Sequence, residues 1–156
     1  MADFVLNEWL WSDLSGETDT RKQEDSYRIL VVLTQGSDRL VVVEGSAFAQ
    51  KCWRLSKVAS DVLQRDAVKV FKSLLVDPAK CLRLDPTTLI DPPPELAARC
   101  KADDYYLIQA QQAVPDSTVV TTDNDLVEAL QASGLPCRRR DEWVREYLAT
   151  VGIRVN

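Results

Sequence analysis

Histidine is absent from all 156 residues. That absence excludes Ser-His-Asp and Cys-His nucleophilic catalysis, imidazole acid–base chemistry and every histidine metal site. Catalysis, if present, must rest on carboxylates, lysine, tyrosine, cysteine or a metal held by oxygen ligands. Paired cysteines are missing too: Cys52, Cys81, Cys100 and Cys137 are scattered, with no C-x-x-C. A closed zinc site usually shows ligands paired at short spacing, so buried free thiols are expected instead. No apolar run approaches the roughly 18 to 20 residues of a membrane span, and the N-terminus carries Asp3, Trp9 and Trp11 where a signal segment would be basic and then apolar. The expectation is a cytoplasmic protein that makes no membrane contact. No glycine-rich loop follows any strand-like segment, which counts against a simple phosphate-binding α/β protein. Internal repeats and low-complexity tracts are also lacking.

What remains is an ordinary globular composition, 46% apolar and 28% charged. One core can be buried and two cannot, so residues 1–156 are read as a single domain. The net charge of −5 argues against coating the whole surface with nucleic acid, although local basic patches can still bind it.

Along the chain, strand-like and helix-like segments alternate. Phe4-Val5-Leu6 reads as a short strand stopping at Asn7, followed by helical residues to Leu14 and a stop at Gly16. Residues 16 to 24 read as a polar loop, and Glu24 to Thr34 as a helix. Leu40 to Val43 is a β-branched run suited to a strand buried on both faces. Helical spacing covers Ser46 to Ser56 and Ser60 to Val76, with Ser60 as N-cap. Cys81 to Leu84 suggests a strand, and Asp85 to Pro94 holds four of the seven prolines and reads as an irregular exposed loop. Glu95 to Lys101 and Asp103 to Val114 are helical, Val119 to Thr121 a strand, and Asn124 to Ala132 a helix closed by Gly134. Cys137 to Arg140 forms the last strand and Glu142 to Val151 the last helix. This alternation predicts an α/β fold, a mostly parallel sheet covered on both sides.

In an open parallel sheet, ligands bind outside the carboxyl ends of the strands. The first strand delivers Asn7 and Glu8 there; the strand Val119 to Thr121 delivers Thr122, Asp123 and Asp125. Asp103 and Asp104 open the preceding helix and can lie alongside. Clustered carboxylates repel and raise one another's pKa, so the arrangement is favourable mainly when a divalent cation neutralises it. Oxygen-only donors suit Mg²⁺ or Mn²⁺. Each residue also has an ordinary structural role: Asp123 and Asp103 stand at N-cap positions, and Asn7 at a turn. Helix spacing leaves the choice between Asp103 and Asp104 open. Lys51, Arg54 and Lys57, or Arg138 to Arg140, are candidates to receive an RNA backbone, or form a solvated charged face. Trp9 and Trp11 lie about 200° apart on a short helix that hides one face, which predicts at least one exposed indole available to a partner.

Val119-Val120-Thr121-Thr122-Asp123-Asn124-Asp125-Leu126 resembles the late motif of the PIN-domain family, a strand ending in Thr-x-Asp followed by a helix. Asp103-Asp104-Tyr105-Tyr106-Leu107-Ile108-Gln109-Ala110 resembles that family's preceding helix, Val5-Leu6-Asn7 its opening strand, and Leu135-Pro136-Cys137 to Val144 its last strand and helix. The order and spacing fit nearly the whole chain, with the specific signal in residues 103–126. The resemblance implies a PIN-like three-layer α/β/α fold and a Mg²⁺- or Mn²⁺-dependent ribonuclease acting on single-stranded or structured RNA. It further implies a VapC-like toxin held by an antitoxin protein, with a homodimer also possible. In that scheme Asp103 or Asp104, Asp123 and Asp125 hold one or two metals with the residue at position 7, while Thr121 or Thr122 positions a water or a carboxylate. The chain departs from the pattern twice. The family's first aspartate falls on Asn7, which offers only a neutral carbonyl oxygen, whether by natural loss or by an introduced Asp→Asn change. The family's second acid has no direct match, since Gln50 and Lys51 stand in that helix; Glu44, ending the second strand, is the substitute. A non-catalytic PIN-like module binding RNA or protein is the alternative to an enzyme.

Overall fold

A computed structural model describes residues 1–152. Five short strands, β1 (Asp3–Leu6), β2 (Arg39–Val43), β3 (Cys81–Leu84), β4 (Thr118–Thr121) and β5 (Cys137–Arg139), form one sheet in the order β3-β2-β1-β4-β5. Every pairing is parallel. Among the described residues eight α-helices surround it: α1 (Trp9–Leu14), α2 (Thr20–Gln35), α3 (Ala47–Val58), α4 (Val62–Val76), α5 (Pro94–Ala97), α6 (Tyr105–Ala113), α7 (Asn124–Ala132) and α8 (Arg140–Thr150).

The strands alternate between two cores. Phe4, Leu6, Leu40, Val42 and Val120 face a layer built from α1 to α4 and α8. Val5, Val41, Val43 and Val119 face a layer built from α5, α6 and α7. Burial on both faces explains why β2 and β4 read as continuous apolar runs. The expected three-layer α/β/α architecture with a parallel central sheet is therefore present.

Helix starts follow short polar side chains. Asp19, Ser46, Asp61 and Asp123 each accept a backbone N–H at the entrance of α2, α3, α4 and α7. Gly134, at φ +71°, follows the last turn of α7 in the left-handed region that favours glycine.

Several local expectations are corrected. Helix α2 begins at Thr20, a full turn before Glu24, because the Asp19 carboxylate caps Lys22 N–H at 2.8 Å while the exposed first turn shows no apolar periodicity. The cap of α4 is Asp61, not Ser60. The proline-rich stretch contains a 3₁₀ turn at Pro86–Thr88, and Pro94 opens α5, since proline at the first helical position lacks only an N–H that has no partner there. Arg140 belongs to α8 and not to the last strand.

The prediction of an exposed indole fails. Trp9 and Trp11 are 5% and 1% exposed. Helix α1 is enclosed on more than one side: Trp11 packs edge-on against Phe71 and near Phe48, both on the α3 and α4 side. Trp9 meets Trp143 of α8, donates its indole N–H to Val120 O at 2.9 Å and lies under the Arg140 guanidinium. A six-residue helix set between neighbours on both sides can bury both indoles.

Of the four free cysteines, three are buried and Cys100 is half-buried. Burial pushes the Cys52 thiol up to about 12 and those of Cys81 and Cys137 up to about 11, which keeps them protonated and unreactive. No helix among the described residues is long and apolar enough to cross a membrane.

Candidate functional site

After β1 the chain fills β2 and β3 on one side, then crosses back to place β4 on the other side of β1. The strand order therefore reverses between β1 and β4, and the crevice outside their carboxyl ends is the place where this architecture leaves room for a ligand. A cavity of about 400 Å³ lies there, lined by Asn7 and Glu8 after β1, Thr122 and Asp123 after β4, and Asp103 and Asp104 before α6. Most of the acids named from the sequence thus meet in one place.

Thr121 joins the two strand ends. Its hydroxyl, fully buried, accepts from Asn7 Nδ2 at 2.9 Å and from the Asp123 backbone N–H at 3.1 Å. Asn7 N–H donates to Val120 O at 3.1 Å, carrying the strand contact one residue past β1. The Asn7 amide oxygen accepts from Glu8 N–H at 2.6 Å, and the Tyr106 hydroxyl approaches the same oxygen at 3.4 Å.

The acids differ in setting. Asp123 caps α7 through Oδ1, which accepts from Asp125 N–H at 2.9 Å and Leu126 N–H at 3.3 Å; Oδ2 has no hydrogen bond among the described residues. Capping and site roles are compatible because they use different oxygens. Asp104 stands before α6 yet makes no side-chain cap, whereas Asp103 is exposed in the preceding 3₁₀ turn. Burial first, then the neighbouring charges of Asp123 and Glu8, raise the Asp104 carboxyl above its ordinary value, with Lys101 opposing. Burial likewise raises the Tyr106 hydroxyl, reinforced by Glu8 and Asp104. Asp104 is thus the better placed of the pair to feel a cation in the cavity.

Two sequence candidates lie elsewhere. Glu44 ends β2 at the same edge of the sheet but turns toward β3, pairing with Arg83 at 3.0 Å beside a different, smaller cavity. Asp125 is exposed in the first turn of α7 and does not line the crevice. Thr122 lines it, while Thr121 lies beneath.

Glu8, delivered with Asn7 to this end of β1, lines the wall beside it. Other residues of the cavity were not foreseen. Asp13 and Arg140 form a buried pair at 3.0 Å, and Asp13 also accepts from Ser26 at 2.8 Å and Thr18 at 2.9 Å. A carboxylate amid the apolar run of α1 was the available signal for that pair. The candidate phosphate ligands fare differently: Arg138 pairs with Glu146, Arg139 approaches Glu142 at 4.0 Å, and Lys51 reaches Ser12 and Glu8. The cations that line the crevice itself are Lys22, Lys101 and Arg140.

Five carboxylates, Glu8, Asp13, Asp103, Asp104 and Asp123, share the cavity with those three cations. The donors are hard oxygens, the kind of ligand that Mg²⁺ and Mn²⁺ take, and the Asp104 carboxyl is raised first by burial and then by the charges of Asp123 and Glu8. Among the described residues no three acidic or cysteine side chains already converge as a ready-made metal cage. The wall of the crevice where β1 ends carries the neutral amide of Asn7.

Comparison with protein-family models gives no match, and comparison with curated proteins gives none either.

Proposed function

We propose that the crevice is the metal-dependent ribonuclease site of a PIN-like domain, weakened at its first acid position by Asn7. The observation that supports this reading is the meeting of Asn7, Asp104 and Asp123 at the strand-order reversal, where one buried Thr121 hydroxyl ties Asn7 to the backbone of Asp123. The resemblance of residues 103–126 to the PIN pattern points the same way. In this reading Asp104, Asp123 Oδ2 and the Asn7 amide oxygen hold Mg²⁺ or Mn²⁺, with Asp103 at the rim. When bound, the ion supplies Lewis-acid activation of water and charge neutralisation at the phosphate.

The chain's own residues supply position and order. Thr121 fixes the Asn7 amide and the start of α7, so the donors from two strands keep their relative placement. Lys22 and Lys101 at the cavity wall attract the phosphodiester backbone of a single strand of RNA. An antitoxin protein and a homodimer belong to the same reading, carried by the resemblance alone.

The second reading is a non-catalytic module that binds RNA or protein. Asn7 favours it, since the amide removes one negative charge from the place where the family pattern has an aspartate.

The test is a calorimetric Mn²⁺ titration together with a cleavage assay on single-stranded RNA, with and without chelator. Asp123→Asn is the informative variant because it keeps a capping oxygen for α7 while removing the charge. Saturable Mn²⁺ binding that Asp123→Asn weakens, with chelator-sensitive cleavage, supports the enzyme. RNA binding without Mn²⁺ binding or cleavage supports the module.

A further inference from the structure

Trp9, Trp11 and Trp143 are buried, whereas Trp53 on α3 is 45% exposed and is the one exposed aromatic side chain among the described residues. The ammonium of Lys72 on α4 stands 5.3 Å from the centre of its ring. The indole therefore marks the seam between two helices that pack side by side.

Positive charge gathers along that seam. Helices α3 and α4 carry six lysines and arginines against one acid, Asp66, on a chain whose net charge is −5. Asp66 is engaged by the Tyr27 hydroxyl. Arg54, Lys57, Lys69 and Lys72 are exposed, and none of them meets an acid within ion-pair distance among the described residues. Lys57 follows Trp53 by four residues and Lys69 precedes Lys72 by three, so each shares a helix face with the Trp53–Lys72 contact. Beside the indole lies a cavity of about 150 Å³, lined by Ala49, Trp53, Phe71 and Leu75 and by the paired Glu44 and Arg83. A small-molecule pocket starts at roughly 300 Å³, so this one suits a flat ring presented by a larger partner.

The chemistry of the face selects among polyanions. Lysine is depleted at the core of protein interfaces, and three of the four free cations here are lysines. Ammonium groups around a single exposed indole match a phosphodiester backbone whose unpaired bases can stack. A base stacked on an indole is worth more than an exposed cation–π contact, so it displaces Lys72 from the ring and frees the ammonium for a phosphate.

We propose that the α3–α4 face binds single-stranded nucleic acid, with one base stacked on Trp53 and the flanking phosphates on Arg54, Lys57, Lys69 and Lys72. This face is distinct from the acidic crevice and needs neither a metal nor cleavage, so it goes beyond the reading of the crevice and is tested apart from it.

The test is the binding of a labelled single-stranded RNA of about twelve nucleotides to the full chain in EDTA, followed by anisotropy and by tryptophan fluorescence. Binding should quench the exposed indole, since the other three are buried. Trp53→Leu should abolish the quenching and weaken binding about tenfold, and Trp53→Phe should recover part of the affinity. The Lys57→Gln/Lys69→Gln double variant should lower the salt slope of log K by about 1.4, at about 0.7 per phosphate contact on a single strand. Arg145→Gln, a charge change on the exposed face of α8, should stay near the parent. A duplex of the same sequence should bind more weakly, because its bases are not free to stack. A parent that binds no single strand, or a Trp53→Leu variant that binds as the parent does, overturns the proposal. Loss of binding on Lys22→Gln/Lys101→Gln with Trp53→Leu unchanged would assign the RNA to the crevice alone. Polyglutamate competing as well as RNA would assign the face to an acidic protein and overturn the proposal too. If Trp53→Leu does not fold, the salt slope of the double lysine variant decides. Trp53-dependent binding in a chain that neither takes up Mn²⁺ nor cleaves RNA would remove the nuclease reading of the crevice and leave this site standing.

Discussion

The side-chain amide of Asn7 donates to the hydroxyl of Thr121 at 2.9 Å, across the junction where β1 and β4 end side by side. The same hydroxyl oxygen accepts the Asp123 backbone N–H, so one buried atom sets both the end of β1 and the start of α7. The two strands, more than a hundred residues apart in sequence, pair along their length, and this oxygen extends the coupling to their ends.

Thr121→Val should therefore destabilise the fold although it preserves the packing. The substitution keeps the β-branched shape and removes the acceptor, leaving the Asn7 amide and the Asp123 N–H without it. Both donors are part-buried, so the loss should lie toward the lower end of the roughly 1 to 3 kcal/mol of an unpaired buried donor. Urea unfolding should show that loss, with Thr121→Ser recovering part of it. A Thr121→Val midpoint equal to the parent's would mean that water replaces the hydroxyl freely.

Asp104 gives a pH dependence whose sign follows from its setting. Its carboxyl is raised in the folded state by burial and by the charges of Asp123 and Glu8. Between the ordinary carboxylate pKa and the raised one, the folded chain binds more protons than the unfolded chain, so stability falls as pH rises through that window. Without metal, Asp104→Asn should raise the thermal midpoint at pH 7 and have little effect near about pH 3, where both states are protonated. Saturating Mn²⁺ should reverse the order at pH 7, because the parent then gains a ligand that the variant lacks. Thermal melts at the two pH values, with and without Mn²⁺, check both halves.

The Asp13–Arg140 pair is 4% and 6% exposed at its side chains and lines the crevice, with the Arg140 guanidinium over the Trp9 ring. Removing Arg140 leaves Asp13 as a buried carboxylate held only by the Thr18 and Ser26 hydroxyls, a loss on the order of 3 to 5 kcal/mol, whereas Arg140 without Asp13 keeps Asp141 at 3.0 Å. Arg140→Ala should therefore lower stability on that scale and Asp13→Ala by less, and the double variant should lose less than the two losses added together. Strict additivity in denaturant unfolding would show that the two side chains act independently.

The α/β fold was legible because its signals are local. Val41 to Val43 and Val119 to Val120 carry no polar interruption, and caps such as Ser46 and Asp123 mark helix starts. The acids of the crevice were legible for a related reason: strand ends and helix starts in a parallel sheet deliver residues to one edge, so Asn7, Asp123 and the pair Asp103 and Asp104 could be named together, with the choice within the pair left open. Partner choice was not legible. Glu44 sits at the right edge, but Arg83 on the neighbouring strand draws it away. Arg140 reads as part of a basic run, and only the packing of α8 against α1 and α2 shows that it answers Asp13. The burial of both indoles likewise depends on neighbours from α3, α4 and α8, which no window around Trp9 contains.

Asn7 decides between an enzyme and a binding module, and its surroundings allow a direct substitution. Asn7→Asp keeps the shape and keeps the oxygen that accepts from Glu8 N–H. The amide nitrogen becomes a second oxygen, and the Thr121 hydroxyl, now an acceptor, has only to rotate to donate to it. The new charge joins Asp104 and Asp123, so the metal-free variant should melt at a lower temperature than the parent. With Mn²⁺ the same charge becomes a ligand, and affinity should rise about tenfold, which corresponds to about 1.4 kcal/mol. Mn²⁺ should therefore raise the midpoint more for Asn7→Asp than for the parent, as linkage requires when affinity increases. Cleavage of single-stranded RNA should appear or increase in parallel. Equal Mn²⁺-induced shifts in the two proteins, with no cleavage by either, would leave the RNA- or protein-binding module as the function of the crevice.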